Sequence, residues 1–328
     1  MADEQKASGP LCKHDRLWFE DGSVILTSDV DSLSFRLHRS VLSLHSDIFR
    51  MILALPSKAE SNEIVEDCPV VHLQDRGDDL ERFFGLLYDG GKDLFFQQED
   101  IDFKVVRTML RLSFKYDVQH IREAALRRLR VWFPPSLAGW DKFRQSRGAK
   151  SSTLVNAKDS IAVINMARRF DLPDLLPIAF YQCSCMPLAD LLKPIDYGNS
   201  CRDVEELSRD DLGKALHGAD ELDKLIAPRL YILVNFIPNA ECQRRSKCKQ
   251  TARNLLRDVA DLGVSSRISL LDISGLDAAL ARYSTTEVPA LCSPCKRDLR
   301  GEFDAKRREV WEQLERIYST ETVSDEGD

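Results

Sequence analysis

Apolar and polar positions follow two different periods in the first third of the chain. Ser23-Val24-Ile25-Leu26-Thr27 is short and β-branched, bracketed by the turn-prone Asp21-Gly22 and Ser28-Asp29, and Leu33-Ser34-Phe35-Arg36-Leu37 alternates with period two. The pair predicts a β-hairpin with one face buried. The period then lengthens. Val41, Leu42, Ile48, Phe49 and Ile52 fall at helical intervals, broken at Ser46-Asp47, a suitable N-cap for a second helix that Pro56 stops. Ser57 to Asp67 is polar and reads as an exposed loop, and Pro69-Val70-Val71-His72-Leu73 predicts a third strand. Helices follow: one behind Asp78-Asp79 with Leu80, Phe83, Phe84, Leu87 and Tyr88, one presenting Val105, Val106, Met109, Leu110, Leu112 and Phe114, and one from Gln119 to Trp132, ended by Pro134-Pro135. Strands early and helices later give an α+β order.

The rest of the chain carries only the helical period. Residues 134–157 are rich in Ser, Gly, Lys and Arg and read as a linker or flexible insertion. From Ser160 the stripe resumes with Ile161, Val163, Ile164, Ala167 and Phe170, and it continues to a final helix from Lys296 to Tyr318 carrying Phe303, Val310, Leu314 and Ile317. Pro173 and Pro177 mark turns or first-turn positions. The expected organisation is a disordered N-terminus over 1–14, an α+β domain over 15–133, the linker, an all-α region over 158–318, and an acidic tail over 319–328. No repeat of solenoid or propeller period is present.

Composition narrows the classes. The 328 residues are 43% hydrophobic and 30% charged, ordinary for a chain that buries a core, and the formal net charge is -7. A mildly acidic chain repels phosphates unless it concentrates a basic face. Two short basic clusters, Arg244-Arg245-Ser246-Lys247-Cys248-Lys249 and Lys306-Arg307-Arg308, lack interleaved aromatics and read as solvated surface. No direct nucleic-acid contact is expected. Residues 1–10 have no apolar core of a signal peptide, and the longest apolar stretch, Leu230 to Ile237, is far short of the ~20 residues of a spanning helix. An intracellular protein, cytoplasmic or nuclear, with no membrane partner is expected. Nine cysteines without a secretory signal then point to reduced or metal-bound thiols.

The motifs Phe19-Glu20-Asp21-Gly22-Ser23-Val24, Phe35-Arg36-Leu37-His38-Arg39-Ser40-Val41-Leu42 and Ser46-Asp47-Ile48-Phe49-Arg50-Met51 are followed by Cys68-Pro69-Val70-Val71-His72-Leu73, Phe84-Gly85-Leu86-Leu87-Tyr88 and Leu110-Arg111-Leu112-Ser113-Phe114-Lys115-Tyr116-Asp117-Val118. Over residues 15–133 this series resembles the BTB (POZ) family, in particular BTB proteins of mushroom-forming fungi. Helical text similar to theirs follows, here Ile164 to Phe170 and Leu176 to Tyr181. The resemblance implies a small sheet capped by a helix cluster and a docking surface for protein partners. Asp21, His38 and Arg39 are then expected in a charged groove for a partner peptide. Some members recruit a cullin-type ubiquitin ligase scaffold and place a hydrophobic-x-Glu triplet before the third strand. Here Ile64-Val65-Glu66 stands there, a short triplet that arises easily by chance, and the alternative is a solvated loop. Dimerising members carry an extra helix and strand before the hairpin. The apolar segment Leu11 to Phe19 is short for that, and homodimerisation stays open.

Catalysis finds no support. His38 has only Ser40 and Ser43 nearby in sequence and reads as a partly buried corner histidine, and no phosphate loop, nucleophile elbow, HExxH or kinase set is present. The chain is expected to be an adaptor, presenting clients to a ligase, or alternatively a nuclear transcription- or chromatin-associated regulator acting through protein contacts.

The cysteines carry the remaining chemistry. Cys292-Ser293-Pro294-Cys295 has the two-residue spacing that lets both thiolates ligate one tetrahedral Zn²⁺. Cys242 and Cys248, with five residues between them, would complete a structural site. The alternative is four reduced structural cysteines. A thioredoxin-like role lacks a βαβ context.

Overall fold

A computed structural model describes residues 11–54, 63–89, 101–149, 156–198, 204–261, 267–272, 274–285 and 290–318. The expected loop up to residue 62, the end of the linker over 150–155, residues 1–10 and the acidic tail lie outside the described residues. The chain divides into two units, Met1–Leu129 and Arg130–Asp328. The division falls inside one helix, four residues before the expected boundary at 133.

The N-terminal unit is mixed α/β. Strands β1 (Cys12–Trp18), β2 (Val24–Ser28) and β3 (Leu33–Leu37) precede helices α1 (Arg39–His45) and α2 (Asp47–Ala54). Then come β4 (Ile64–Val65), β5 (Cys68–Leu73), α3 (Gly77–Tyr88), α4 (Phe103–Lys115) and α5 (Gln119–Trp132). The sheet order is β1-β3-β2-β5-β4. The expected hairpin is the antiparallel pair β2–β3, with Ile25 opposite Arg36, and β5 adds parallel to β2. Every residue of β2 is buried, so this central strand shows a continuous apolar run rather than alternation. The hydroxyl of its Thr27 meets that of Ser34, the facing residue on β3, at 3.1 Å.

Two strands depart from expectation. β1 begins at Cys12, inside the segment expected to be disordered, and pairs parallel with β3. Its text, Cys12-Lys13-His14-Asp15-Arg16-Leu17-Trp18, has no period because it is an edge strand burying only Leu17. β4 forms where a loop was expected, and pairs antiparallel with β5 through the two-residue turn Glu66-Asp67. Both turn residues have positive φ, 49° and 60°. That is the hairpin turn compatible with strand twist, here made without glycine.

The sheet is covered by rings. Phe49 stacks on Tyr116 at 4.7 Å and Phe35 meets Phe84 edge-on at 5.3 Å. Ser46 caps α2 as expected, its hydroxyl accepting from the Phe49 N–H at 2.9 Å. Asp75 is buried at the entry to α3, and its carboxylate accepts from Tyr116 Oη at 2.6 Å, Lys115 Nζ at 2.5 Å and Arg111 Nη1 at 3.2 Å.

The C-terminal unit is helical apart from the two-residue strands β6 (Ile195–Asp196) and β7 (Val204–Glu205). Its helices are α6 (Leu137–Ala149), α7 (Asp159–Phe170), α8 (Leu176–Ser184), α9 (Leu188–Leu191), α10 (Arg209–Val234), α11 (Arg245–Asp261), α12 (Ser274–Thr285) and α13 (Ser293–Tyr318), with short 3₁₀ turns at Pro173–Leu175 and Arg267–Leu271. The expected linker is therefore corrected: Leu137–Ala149 is a helix. Trp140 and Phe143, three residues apart, are buried, and Trp140 Nε1 donates to the Leu271 carbonyl at 3.1 Å. Small and basic neighbours masked that two-residue stripe.

Arg307, read as part of a solvated cluster, is instead buried and grips Asp141 with both terminal nitrogens at 2.7 and 2.8 Å. Tyr318, the last described residue, lies against Gly218, where an added Cβ would stand 2.1 Å from its ring. No helix among the described residues is long and apolar enough to cross a membrane.

Candidate metal centre

Cys242, Cys248, Cys292 and Cys295 come together in the C-terminal unit, with all four Sγ atoms within 4.8 Å of one another. Cys242 sits in the turn after α10, Cys248 in the first turn of α11, Cys292 just before α13 and Cys295 in its first turn. Two helix starts thus converge on one point, and helix N-termini favour negative charge. Cys248 and Cys295 are fully buried, Cys242 nearly so, and Cys292 is half-buried. Leu233, Leu255, Leu280, Leu299 and Phe303 belong to the same buried cluster.

The spacing of the sulfurs restricts the chemistry. Cys242 Sγ lies 3.7 Å from Cys248 Sγ and 3.6 Å from Cys292 Sγ. A disulfide needs about 2.05 Å. A tetrahedral ion bound at about 2.3 Å to each sulfur sets the edges at about 3.8 Å. The observed separations fit the second arrangement.

The thiols do not share one titration. Burial opposes the Cys292 thiolate, but the Cys295 backbone N–H and the surrounding thiols donate to it, and its pKa is pushed down to about 7. Burial pushes the Cys295 and Cys248 thiols up, with the neighbouring sulfurs adding to the rise. One thiolate here raises the cost of ionising the next, and a bound cation would offset that cost.

Asn239 holds the approach. Its backbone N–H donates to Cys295 Sγ at 3.3 Å, its carbonyl accepts from Cys242 N at 3.0 Å, its side-chain Oδ1 accepts from Glu241 N at 2.8 Å, and its amide nitrogen reaches Asp298. Such outer contacts orient metal ligands. The sequence offered one signal for it, the turn-prone Pro238-Asn239 before Cys242. Cys183 and Cys185 lie apart from this centre, and burial pushes both thiols up to about 12.

The other expected sites fall in the N-terminal unit. His38 Nε2 meets Asp21 at 3.1 Å, and its Nδ1 and backbone N–H meet the Tyr88 hydroxyl at 3.2 and 3.0 Å. With the proton assigned to Nε2, the hydroxyl accepts from the backbone and donates to Nδ1, so every polar atom of the corner is satisfied. The bond from His38 holds Asp21 below the usual carboxylate range. Arg39 does not join this pair: its guanidinium turns to the Leu53 carbonyl at the end of α2.

Ile64 is 63% exposed on β4. Glu66, at the turn, is held by Lys13 and by Arg36 at 3.2 Å, and Lys13, then Arg36, pull its carboxyl below the usual range. A groove of about 380 Å³ that the sequence reading missed opens elsewhere on this unit, where Leu44, His45 and Asp47 face Asp117, Gln119 and Arg122.

Compared with the models of known protein families and with curated proteins, the chain matches none of them.

Proposed function

We propose that the chain is a protein-interaction adaptor whose N-terminal unit is a BTB domain. One observation carries this reading. The motif series from Phe19 to Val118 implies a small sheet capped by helices, and a hairpin, a parallel third partner strand and an aromatic helical cover stand in that order. The docking surface is the groove between the α1–α2 corner and the start of α5, where Leu44 is 78% exposed. An exposed leucine beside charged walls is the pattern of an anchor site for a partner side chain. Leu44→Asp should abolish capture of a partner that the unaltered chain retains in affinity purification, with circular dichroism unchanged. Retention of every partner by that variant would refute the groove assignment.

The ligase arm of the proposal rests on Ile64, with Glu66 beside it. Ile64→Asp is the sharper probe, because Glu66 also serves Lys13 and Arg36. A cullin N-terminal domain should bind the chain and lose affinity for the variant. No binding at tens of micromolar removes the ligase arm and leaves the adaptor reading standing.

We assign the four-thiol cluster to a structural zinc ion, which would be closed by four protein sulfurs and tie the start of α13 to the turn before α11. Elemental analysis should find one zinc per chain, lost in Cys292→Ser. A folded chain free of metal would end the assignment.

A further inference from the structure

The cations beside the thiol cluster are placed against the interests of the helix that carries them. On α11 the residues Arg245, Lys249, Arg253 and Arg257 stand at intervals of four and are all exposed. Like charges four apart on a helix repel and destabilise it. Arg245 and Lys247 also stand in the first turn, with Lys249 just after it, at the end where a helix disfavours positive charge, and no acidic residue stands in that turn. Arg244 precedes them, also exposed.

Among the described residues none of these six cations is in an ion pair. Elsewhere in the same unit arginines are routinely matched, as Arg307 is with Asp141 and Arg267 with Asp223. A tetrathiolate zinc would carry two negative charges, fewer than the cations gathered here, so a surplus faces solvent. The opposite face of α11 is occupied: Cys248, Thr251, Ala252 and Leu255 are buried.

The stripe has a defined geometry. It extends about 18 Å with a charge every ~6 Å, at 1.5 Å per residue. A second helix bearing carboxylates every fourth residue has the same repeat. The stretch leading into α11 adds apolar surface: Tyr231, Val234 and Ile237 are 64%, 59% and 79% exposed. Val234 and Ile237 gain nothing from a phosphate backbone, and Tyr231 is the one aromatic named on this face, with none on α11 interleaved among the cations.

We propose that α11 and the exposed apolar residues before it form a docking face for an acidic, amphipathic helical segment of a partner protein. The proposal rests on the adaptor reading only in giving the chain a second partner surface. The groove at Leu44 belongs to the other unit and is tested by its own variant.

The test uses the full zinc-loaded chain and a fluorescein-labelled synthetic helix of about 20 residues, with glutamates at every fourth position and leucines on the adjoining face. Fluorescence anisotropy should show binding that weakens as salt is raised. The double variant Lys249→Glu with Arg253→Glu should lose about tenfold or more in affinity, and Ile237→Ser should lose a few-fold. The double variant should keep its zinc and be no less stable, because it relieves repulsion along α11. No binding of the peptide, equal binding by the charge-reversed chain, or a DNA duplex that displaces the peptide at equal concentration would each overturn the proposal. The last result would assign the face to nucleic acid. None of these outcomes bears on the partner lost in Leu44→Asp.

Discussion

In the N-terminal unit the centre is aromatic, with Phe35, Phe49, Phe83, Phe84 and Tyr116 fully or almost fully buried against a five-stranded sheet. Around the four thiols of the C-terminal unit the filling is mostly leucine and alanine, with Phe303 the ring among the buried members. The first centre buries large surfaces that need no ion, since a packed aromatic contributes by area alone. The second gathers four thiols within an apolar shell, an arrangement that is tolerated while they stay protonated and would need a cation if they ionised together. One core is thus closed by packing, while the other brings together four thiols that the proposed zinc would close by ligation.

Removing the ion should break the comparison most visibly. A strong chelator, or Cys295→Ser, is expected to lower the unfolding transition of the C-terminal unit by several kcal/mol, given that zinc supplies about 10 kcal/mol or more in small thiolate sites. The N-terminal transition should stay in place. Calorimetry with and without chelator measures both, and a single unmoved transition would mean that packing holds both cores.

The reciprocal change is Phe49→Ala, expected to cost about 3–5 kcal/mol in the N-terminal unit, with zinc content by elemental analysis unchanged. Next in size is Gly218→Ala, which sets a methyl against the Tyr318 ring in the C-terminal unit. Overpacking of this kind costs about 1–3 kcal/mol, and denaturant titration should show the loss shrinking when Tyr318→Leu is combined with it.

Smaller still is the response to acid of the Asp223–Arg267 pair, whose two contacts are 2.7 Å each. The bond from Arg267 holds Asp223 below the usual carboxylate range. Its contribution is therefore fully present above the unfolded value of about 3.9 and is lost as pH falls through the lower folded one. Asp223→Asn should flatten that part of the acid limb, read by circular dichroism between pH 5 and 2 in steps of about half a unit.

Much of the local order was legible beforehand, and for physical reasons. The hairpin, the helix starting behind Ser46 and the final helix carry strong periods, bounded by turn formers and caps. The edge strand from Cys12 was not legible, because it buries only Leu17 and so has no apolar face to impose alternation. The helix over Leu137–Ala149 was hidden among small and basic residues: Trp140 and Phe143 are the buried side chains among those described, too few to make a visible stripe. Arg307 looked like surface in a run of three cations, yet its partner Asp141 lies far back in the chain. The four-residue rhythm of Arg245, Lys249, Arg253 and Arg257 was on the page throughout, and only the burial of Cys248 and Leu255 showed which way it faces.

The metal centre divides along the same line. The chain alone settled that Cys292 and Cys295 can reach one ion, since two intervening residues keep both sulfurs on one side of a turn. It also settled that the periods of the two halves differ, because a strand shows its neighbours every second residue and a helix every third or fourth. The spacing also nominated Cys242 and Cys248, but that they come together with the pair was a tertiary matter, decided when the turn after α10 met the start of α13. So were the pairing of Asp21 with His38 and Tyr88 and the turning away of Arg39 to Leu53. Local patterns are written in the spacing of neighbours, while convergence depends on how distant elements pack, and packing is a sum over contacts that no single stretch of sequence contains.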